Sequence, residues 1–100
     1  MATGRLGWAS HGVSDGTGVR KVDPNLAPLS TALGVLGMPG HTAYAGLNAV
    51  AQARAGETLV VSAASGAVGS LAVQLGKAMG MTVIGVAGGA AKCAFVTDEL

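Results

Sequence analysis

The stretch LVVSAASGAVGSLAVQLGKAMG, from Leu59 to Gly80, constrains the fold more than any other part of the chain. It begins with a β-branched apolar run, passes through a cluster of small residues and continues with apolar residues at helical spacing. A continuous apolar run is typical of a parallel strand that is covered on both faces. The pattern therefore predicts a buried strand over 57–63, a tight turn, and a helix over 66–79 that ends at Gly80.

A second strand and helix follow this unit. The apolar run 81–87 predicts another strand, and a further helix is expected from residue 92 onward after a pair of glycines. Strand, helix, strand and helix joined by short links imply a parallel pair with a right-handed crossover, and hence an α/β fold. The apolar stripe expected to face the sheet comprises Val68, Leu71, Ala72, Leu75 and Met79.

The composition of the chain before this unit changes at a connector that contains proline. Residues 4–23 are polar and rich in glycine, and predict two short strands joined by a turn at 14–18. The connector is expected at 23–25, followed by a short helix over 29–36.

A longer helix is expected next. Residues 41–54 carry apolar residues at helical spacing and stop before Gly56, a typical helix-terminating glycine. The segment Met38-Pro39-Gly40 is interpreted as the break between the two helices.

Composition excludes several classes of function. Six Lys and Arg residues oppose five Asp and Glu residues, and the basic residues are scattered, so nucleic acid is not an expected partner. The single cysteine, Cys93, can form no internal disulfide and has no second thiol for a structural zinc site, which favours a reducing cytoplasm. We expect Cys93 to be a small buried hydrophobe. His11 and His41 lack a third ligand, so no metal is expected.

The long uncharged segment 26–53 raises the alternative of a membrane span. Pro39, Gly40 and several polar residues interrupt it, whereas a span requires about 20 predominantly apolar residues. No secretory leader is expected at the start of the chain, because no long apolar run follows Met1. The sequence therefore favours a cytoplasmic protein without a membrane contact.

The small residues of the turn match most of a dinucleotide-binding template. Against GxGxxG the chain has Ala64, Gly66 and Gly69, with alanine replacing the first glycine. Such residues allow a tight bend, close approach of a diphosphate to the backbone, and close helix-to-sheet packing. The helix that follows offers unpaired N–H groups to an anion. The alternative is an ordinary tight turn in another α/β domain.

The end of the second strand indicates which dinucleotide is expected. NAD sites place an acidic residue there, about 20 residues after the glycines, to bind the ribose hydroxyls. The segment Val86-Ala87-Gly88-Gly89 has none, and Lys92 follows near the start of the next helix. A cation at that end of a helix opposes the helix dipole unless an anion lies nearby. Lys92 is thus either a partner for a 2′-phosphate or a solvated surface lysine.

Three blocks of sequence carry a family resemblance: GMPGHTAY (37–44), AGETLVVSAASGAVGS (55–70) and GVAGGAAKC (85–93). They resemble the medium-chain dehydrogenase/reductase superfamily, in its zinc-independent NADP-dependent branch of prostaglandin, leukotriene, curcumin and 2-alkenal reductases. The resemblance implies a GroES-like substrate domain followed by a doubly wound Rossmann domain. Residues 1–27 would be the tail of the former and 28–100 a truncated first part of the latter.

The resemblance also implies a cofactor, a reaction and site residues. NADP would be bound by Thr42 near the nicotinamide, by Gly66, Ala67, Val68 and Gly69 along the diphosphate, and by Lys92 at the 2′-phosphate. The family transfers hydride to the β-carbon of an α,β-unsaturated ketone or aldehyde, and the intact parent would be a homodimer.

Departures from the family leave the catalytic residue unassigned. His41 stands where relatives usually have Leu or Met, and much of both parent domains has no counterpart in the chain. We expect this incomplete piece to be inactive alone. The alternative function is a non-catalytic nucleotide-binding or interaction module.

Overall fold

The computed structural model describes residues 2, 3, 7 and 9–100. The chain divides into two units, residues 1–32 and residues 33–100. The strands are β1 (Ala2–Thr3), β2 (Arg20–Lys21), β3 (Thr58–Val61) and β4 (Thr82–Gly85), and the α-helices are α1 (Met38–Ala45), α2 (Ala67–Ala78) and α3 (Ala90–Asp98).

The first unit contains one short antiparallel ladder. Strand β1 pairs with β2, with Ala2 opposite Lys21 and Thr3 opposite Arg20. The second predicted strand is found at β2. The first strand lies before the predicted segment, and residues 4–6 and 8, where the other prediction falls, lie outside the described residues.

Side-chain acceptors hold the turn that precedes β2. The Thr17 amide donates to the Asp15 carboxylate at 2.8 Å, and the Gly16 amide donates to the Ser14 hydroxyl at 3.1 Å. Gly16 and Gly18 have φ of 88° and 71°, conformations that favour glycine. The glycine-rich turn expected at 14–18 is confirmed.

The helical segments that lie between β2 and β3 in the sequence differ from the prediction. The first is a 3₁₀ turn at Leu29–Leu33, shorter than the expected 29–36. The second begins at Met38 rather than at residue 41, and after α1 it continues as a π-helical turn, Gly46–Val50. Interpreting Met38-Pro39-Gly40 only as a break was wrong, because proline is accepted in the first turn of a helix, where its missing N–H is not needed.

The second unit is organised around a parallel pair of strands. Strand β3 lies beside β4 with Thr58 opposite Thr82 and Val61 opposite Gly85. Two further hydrogen bonds extend the pairing past the strand ends: the Val86 amide donates to Val61 at 2.8 Å, and the Ala64 amide donates to Val86 at 3.0 Å. The predicted α/β arrangement is confirmed, with strands shorter than expected.

Only one face of this sheet is covered in the described part of the chain. Val61, Ala64 and Val73 form the buried core, and partly buried apolar residues of the strands, α2 and α3 pack around it. On the other face Val60 is 63% exposed and Ile84 is 50% exposed. The prediction of strands covered on both faces was therefore wrong for this chain, because burial of a strand depends on elements that pack from both sides.

Helix α2 has nearly its predicted bounds, but the face it presents to the sheet is shifted from the predicted one. Its buried residues are Val73 and Gly76, whereas the five residues of the predicted stripe are only half-buried. Two of them, Leu71 and Leu75, line an apolar groove of about 580 Å³ between α1 and α2. Ala72, another residue of the stripe, packs against the buried core, so the predicted stripe and the contact face overlap there.

Candidate functional site

The turn between β3 and α2 is held by contacts between backbone atoms. Ala63 has φ of 49°, in the left-handed region that few non-glycine residues adopt. Its carbonyl accepts a hydrogen bond from the Gly66 amide at 2.9 Å. A Cβ placed on Gly69 would collide with the same carbonyl oxygen. The absence of a side chain at Gly69 thus lets α2 begin directly against the end of β3.

The start of α2 leaves backbone donors free. Gly66 is the N-cap residue in an extended conformation, and no side chain caps the helix. The first amide to donate into the helix is that of Ser70, which reaches the Gly66 carbonyl at 2.9 Å. Within the described residues the amides of Ala67, Val68 and Gly69 have no backbone acceptor. No acidic side chain lies in the first turn of α2 either, so this positive helix end is available to an anion.

A cleft of about 420 Å³ opens beside this turn. Three residues expected at the nucleotide site, Gly66, Val68 and Gly69, line it together with the end of β3. Ala67, the fourth residue of the segment, is exposed. The structure thus brings these four residues together at one corner of the sheet.

Lys92 lies at the corresponding place after β4. It is exposed and occupies the first turn of α3, which begins at Ala90, two residues earlier than expected. Because β3 and β4 are parallel, both helix starts follow the carboxyl ends of neighbouring strands, where open α/β sheets bind ligands. Lys92 therefore belongs to the same end of the sheet as the α2 turn.

Cys93 is exposed rather than buried, and its thiol donates to the Ala87 carbonyl at 3.4 Å. The expectation of a buried cysteine was wrong, because α3 turns this position away from the core.

Thr42 stands apart from the other expected residues. It is exposed on α1, and it does not line the cleft beside the turn. Its hydroxyl donates to the Met38 carbonyl at 2.8 Å. Because that proton is already used, the Thr42 oxygen can act toward a ligand only as an acceptor.

Sequence reasoning missed the role of Ala63 in shaping the turn. Alanine does not favour positive φ, so its residue type carries no signal for this conformation. The only signal for an unusual backbone conformation was the cluster of small residues, which marks a place where backbone segments pack closely.

Two kinds of feature are absent among the described residues. No group of three His, Cys, Asp or Glu side chains capable of holding a metal ion occurs among them. None of the helices in that part of the chain has the length and apolar character that a membrane crossing requires.

Comparison with known proteins identifies the relatives of this arrangement. The chain is 50% identical to prostaglandin reductase 1 of Rattus norvegicus over 94 residues, which is 91% of this chain and 29% of that protein. It is 48% identical to the NADPH-dependent curcumin reductase of Escherichia coli over 97 residues, or 97% of this chain and 28% of that protein.

A solved structure of a protein with a related name also matches this chain. The crystal structure of CurA from Vibrio vulnificus in complex with NADPH matches 69% of this chain and 20% of its own, with 59% identity and a TM-score of 0.66.

The chain is homologous to one segment of the zinc-independent medium-chain reductases. It spans less than a third of the length of the curated relatives it matches. No family model matches it. The resemblance noted in the three sequence blocks is confirmed, and so is the α/β class with a parallel sheet.

Proposed function

We propose that this chain is part of an NADP-dependent reductase and binds the dinucleotide at the turn from Ala63 to Gly69. The reaction is reduction of the C=C bond of an α,β-unsaturated ketone or aldehyde, for which NADPH, when bound, supplies the hydride. Residues 1–27 belong to the end of a substrate domain and residues 28–100 to the start of the dinucleotide-binding domain. The names of the relatives, an NADPH-dependent reductase among them, support this assignment.

The residues of the turn fit a diphosphate. Gly66 is exposed, and a Cβ on it would already lie 3.1 Å from the Ala63 carbonyl oxygen, so any side chain there would crowd the corner. The amides of Ala67, Val68 and Gly69 provide three donors at the positive end of a helix. A small-residue turn with free donors binds an anion without the side-chain entropy cost that a lysine or arginine cluster would carry.

The remaining residues supply the two ends of the cofactor site. Lys92 provides a cation for a 2′-phosphate, and an anion there removes the unfavourable interaction of Lys92 with the start of α3. Thr42 offers an acceptor oxygen to a carboxamide N–H. The catalytic proton donor stays unassigned, because no titratable side chain is among the described residues that line the cleft.

The single observation that carries the proposal is the set of three amides without a backbone acceptor above a turn of small residues. We test it by titrating the 100-residue chain with NADPH and with NADH while recording backbone amide spectra by NMR. Weak binding is expected, with NADPH preferred and with the largest shifts at Ala67, Val68 and Gly69. The chain alone is expected to oxidise no NADPH in the presence of an enone, because it spans less than a third of the length of its relatives.

A matched pair of variants sharpens this test. In Gly66→Ala the added methyl group occupies the corner of the turn, and we expect the dissociation constant for NADPH to rise by about tenfold. In Gly46→Ala the methyl group enters open space on an exposed helical surface, and affinity should not change. Equal affinity in both variants, or NADPH-dependent shifts confined to another part of the chain, would contradict the proposed site.

A second candidate function is a non-catalytic interaction module. The observation that favours it is the uncovered sheet face, on which Val60, Ile84 and Val86 are each at least half exposed. Such an apolar face is suited to a protein partner. Concentration-dependent self-association in size-exclusion chromatography without any response to NADPH would favour this candidate over the reductase.

A further inference from the structure

The backbone of Ala63 has a conformation that its own side chain does not explain. Its φ of 49° lies in the left-handed region, which disfavours every residue with a Cβ. Ala63 is exposed, so burial of its side chain does not compensate the strain. We therefore look for the compensating stabilisation in the contacts of the two peptide groups that flank Ala63.

The Ala63 carbonyl is the point where three parts of the turn meet. It accepts the Gly66 amide at 2.9 Å, and it lies against the bare Cα of Gly69 at the start of α2. The next residue, Ala64, is fully buried, and its amide donates to the Val86 carbonyl at 3.0 Å. The turn is thus attached to α2 on one side and to the neighbouring strand on the other.

We propose that Ala63 is a positioning residue for the diphosphate of the cofactor. Its left-handed conformation ties the Gly66 amide to the protein and leaves the amides of Ala67, Val68 and Gly69 as the donors that face the ligand. This inference rests on the proposed function, and it adds a division of labour among adjacent amides. Gly66 contributes space to the site, and the three residues after it contribute hydrogen bonds.

The division can be measured in the unmodified 100-residue chain. Amide hydrogen exchange without ligand should be slow at Gly66 and fast at the three following residues. Titration with inorganic pyrophosphate, and separately with NADPH, should shift the amide resonances of Ala67, Val68 and Gly69 and leave that of Gly66 nearly unchanged.

Two substitutions at Ala63 test the conformation itself. Valine is β-branched and strongly disfavours positive φ, so Ala63→Val should raise the dissociation constants for NADPH and pyrophosphate by about tenfold or more. Glycine adopts positive φ freely, so Ala63→Gly should bind both ligands within about twofold of the original chain. Ala51→Val is the matched control, because Ala51 is exposed and has an ordinary helical conformation with φ of −76°.

The outcomes separate this inference from the proposed function. If NADPH shifts the turn amides but Ala63→Val binds as well as the original chain, or if Gly66 shows the largest shift, the role of Ala63 is refuted and the cofactor site stands. If neither NADPH nor pyrophosphate perturbs the turn of the original chain, both are refuted. If Ala63→Val does not fold, the exchange pattern of the original chain and the affinity of Ala63→Gly decide the question.

Discussion

Gly69 lies directly against the carbonyl group of Ala63, with no room for a Cβ between them. The same imaginary Cβ would also lie 3.0 Å from the Cα of Ala64. Both neighbours are backbone atoms, which cannot turn aside as the end of a side chain can. The distance of α2 from the end of β3 is therefore set by the absence of a side chain at Gly69.

The first prediction follows from this contact. Gly69→Ala should lower the free energy of unfolding by about 1–3 kcal/mol, the usual cost of forcing extra volume into a packed site. Urea denaturation followed by far-ultraviolet circular dichroism measures the change. Gly46→Ala serves as control, because a Cβ at Gly46 meets no atom within 4 Å and alanine favours the helix, so stability should be unchanged or raised. Equal loss in the two variants would show that Gly69 is not specially packed.

The second prediction concerns the contact between α2 and the sheet. A Cβ on Gly76 would lie 2.6 Å from Cδ2 of Leu59 and 3.0 Å from Cγ2 of Val83. Gly76→Ala should therefore destabilise the second unit less than Gly69→Ala does, because the atoms it meets are side-chain ends that can move and alanine favours the helix. Leu59→Val, which removes the nearest atom, should partly compensate the loss. A double-mutant cycle measured by denaturation should give a favourable coupling of about 1 kcal/mol. Strictly additive losses would mean that the clash is relieved elsewhere.

The third prediction tests Lys92 as a partner of the 2′-phosphate. Lys92→Gln should weaken NADPH binding by about fivefold, a modest effect because the side chain is exposed to solvent. Binding of NADH, which lacks that phosphate, should not change. Titration calorimetry at low and at high salt measures both affinities. Lys21→Gln, in the first unit, controls for the change in net charge, and equal losses for NADPH and NADH in Lys92→Gln would contradict the assignment.

The fourth prediction is a pH effect at the turn before β2. Hydrogen bonds from Thr17, chiefly from its backbone amide, hold the pKa of Asp15 below its ordinary value of 3.8. Because the folded pKa is lower than the unfolded one, the stabilisation is present above the unfolded pKa and is lost as the pH falls through the folded pKa. The carboxyl carbon shift of Asp15, followed by NMR between neutral and strongly acidic pH, should titrate below the ordinary midpoint.

Asp15→Asn is the matched variant for this titration. It keeps a side-chain oxygen that can accept the Thr17 amide at 2.8 Å in the original turn, but it carries no titrating group. The amide shift of Thr17 should therefore become independent of pH in the acid range. A Thr17 amide that still titrates with the same midpoint would assign the effect to another group.

Much of the second unit could be predicted because its signals are local. The apolar run before Ala63 and the spacing after Gly66 placed β3 and α2 within a few residues of their observed ends. Gly80, with φ of 78°, ends the helix region as expected of a glycine after a C-terminus. The motif also placed four expected residues at one corner, since they are adjacent in sequence.

Features that depend on partners in space were harder to predict. Val60 and Ile84 have the residue types of a fully covered strand, yet they are exposed because no described element packs on their face. The predicted burial of Cys93 was wrong for a similar reason. Helix α3 packs on the sheet through Val96, and the Cys93 thiol is not on that side.

By itself the sequence determined the order of elements and the corner at which a phosphate could approach, because small residues, apolar runs and helix-ending glycines act through the local backbone. The tertiary structure decided that α2 meets the sheet through Gly76 and its neighbours, with Ala72 as the residue of the predicted stripe that packs against the core, and that Ala63 takes a left-handed conformation. Both depend on distances between segments far apart in the chain. Only packing sets those distances, because the steric limits on one residue permit several conformations and the neighbouring strand and helix select among them.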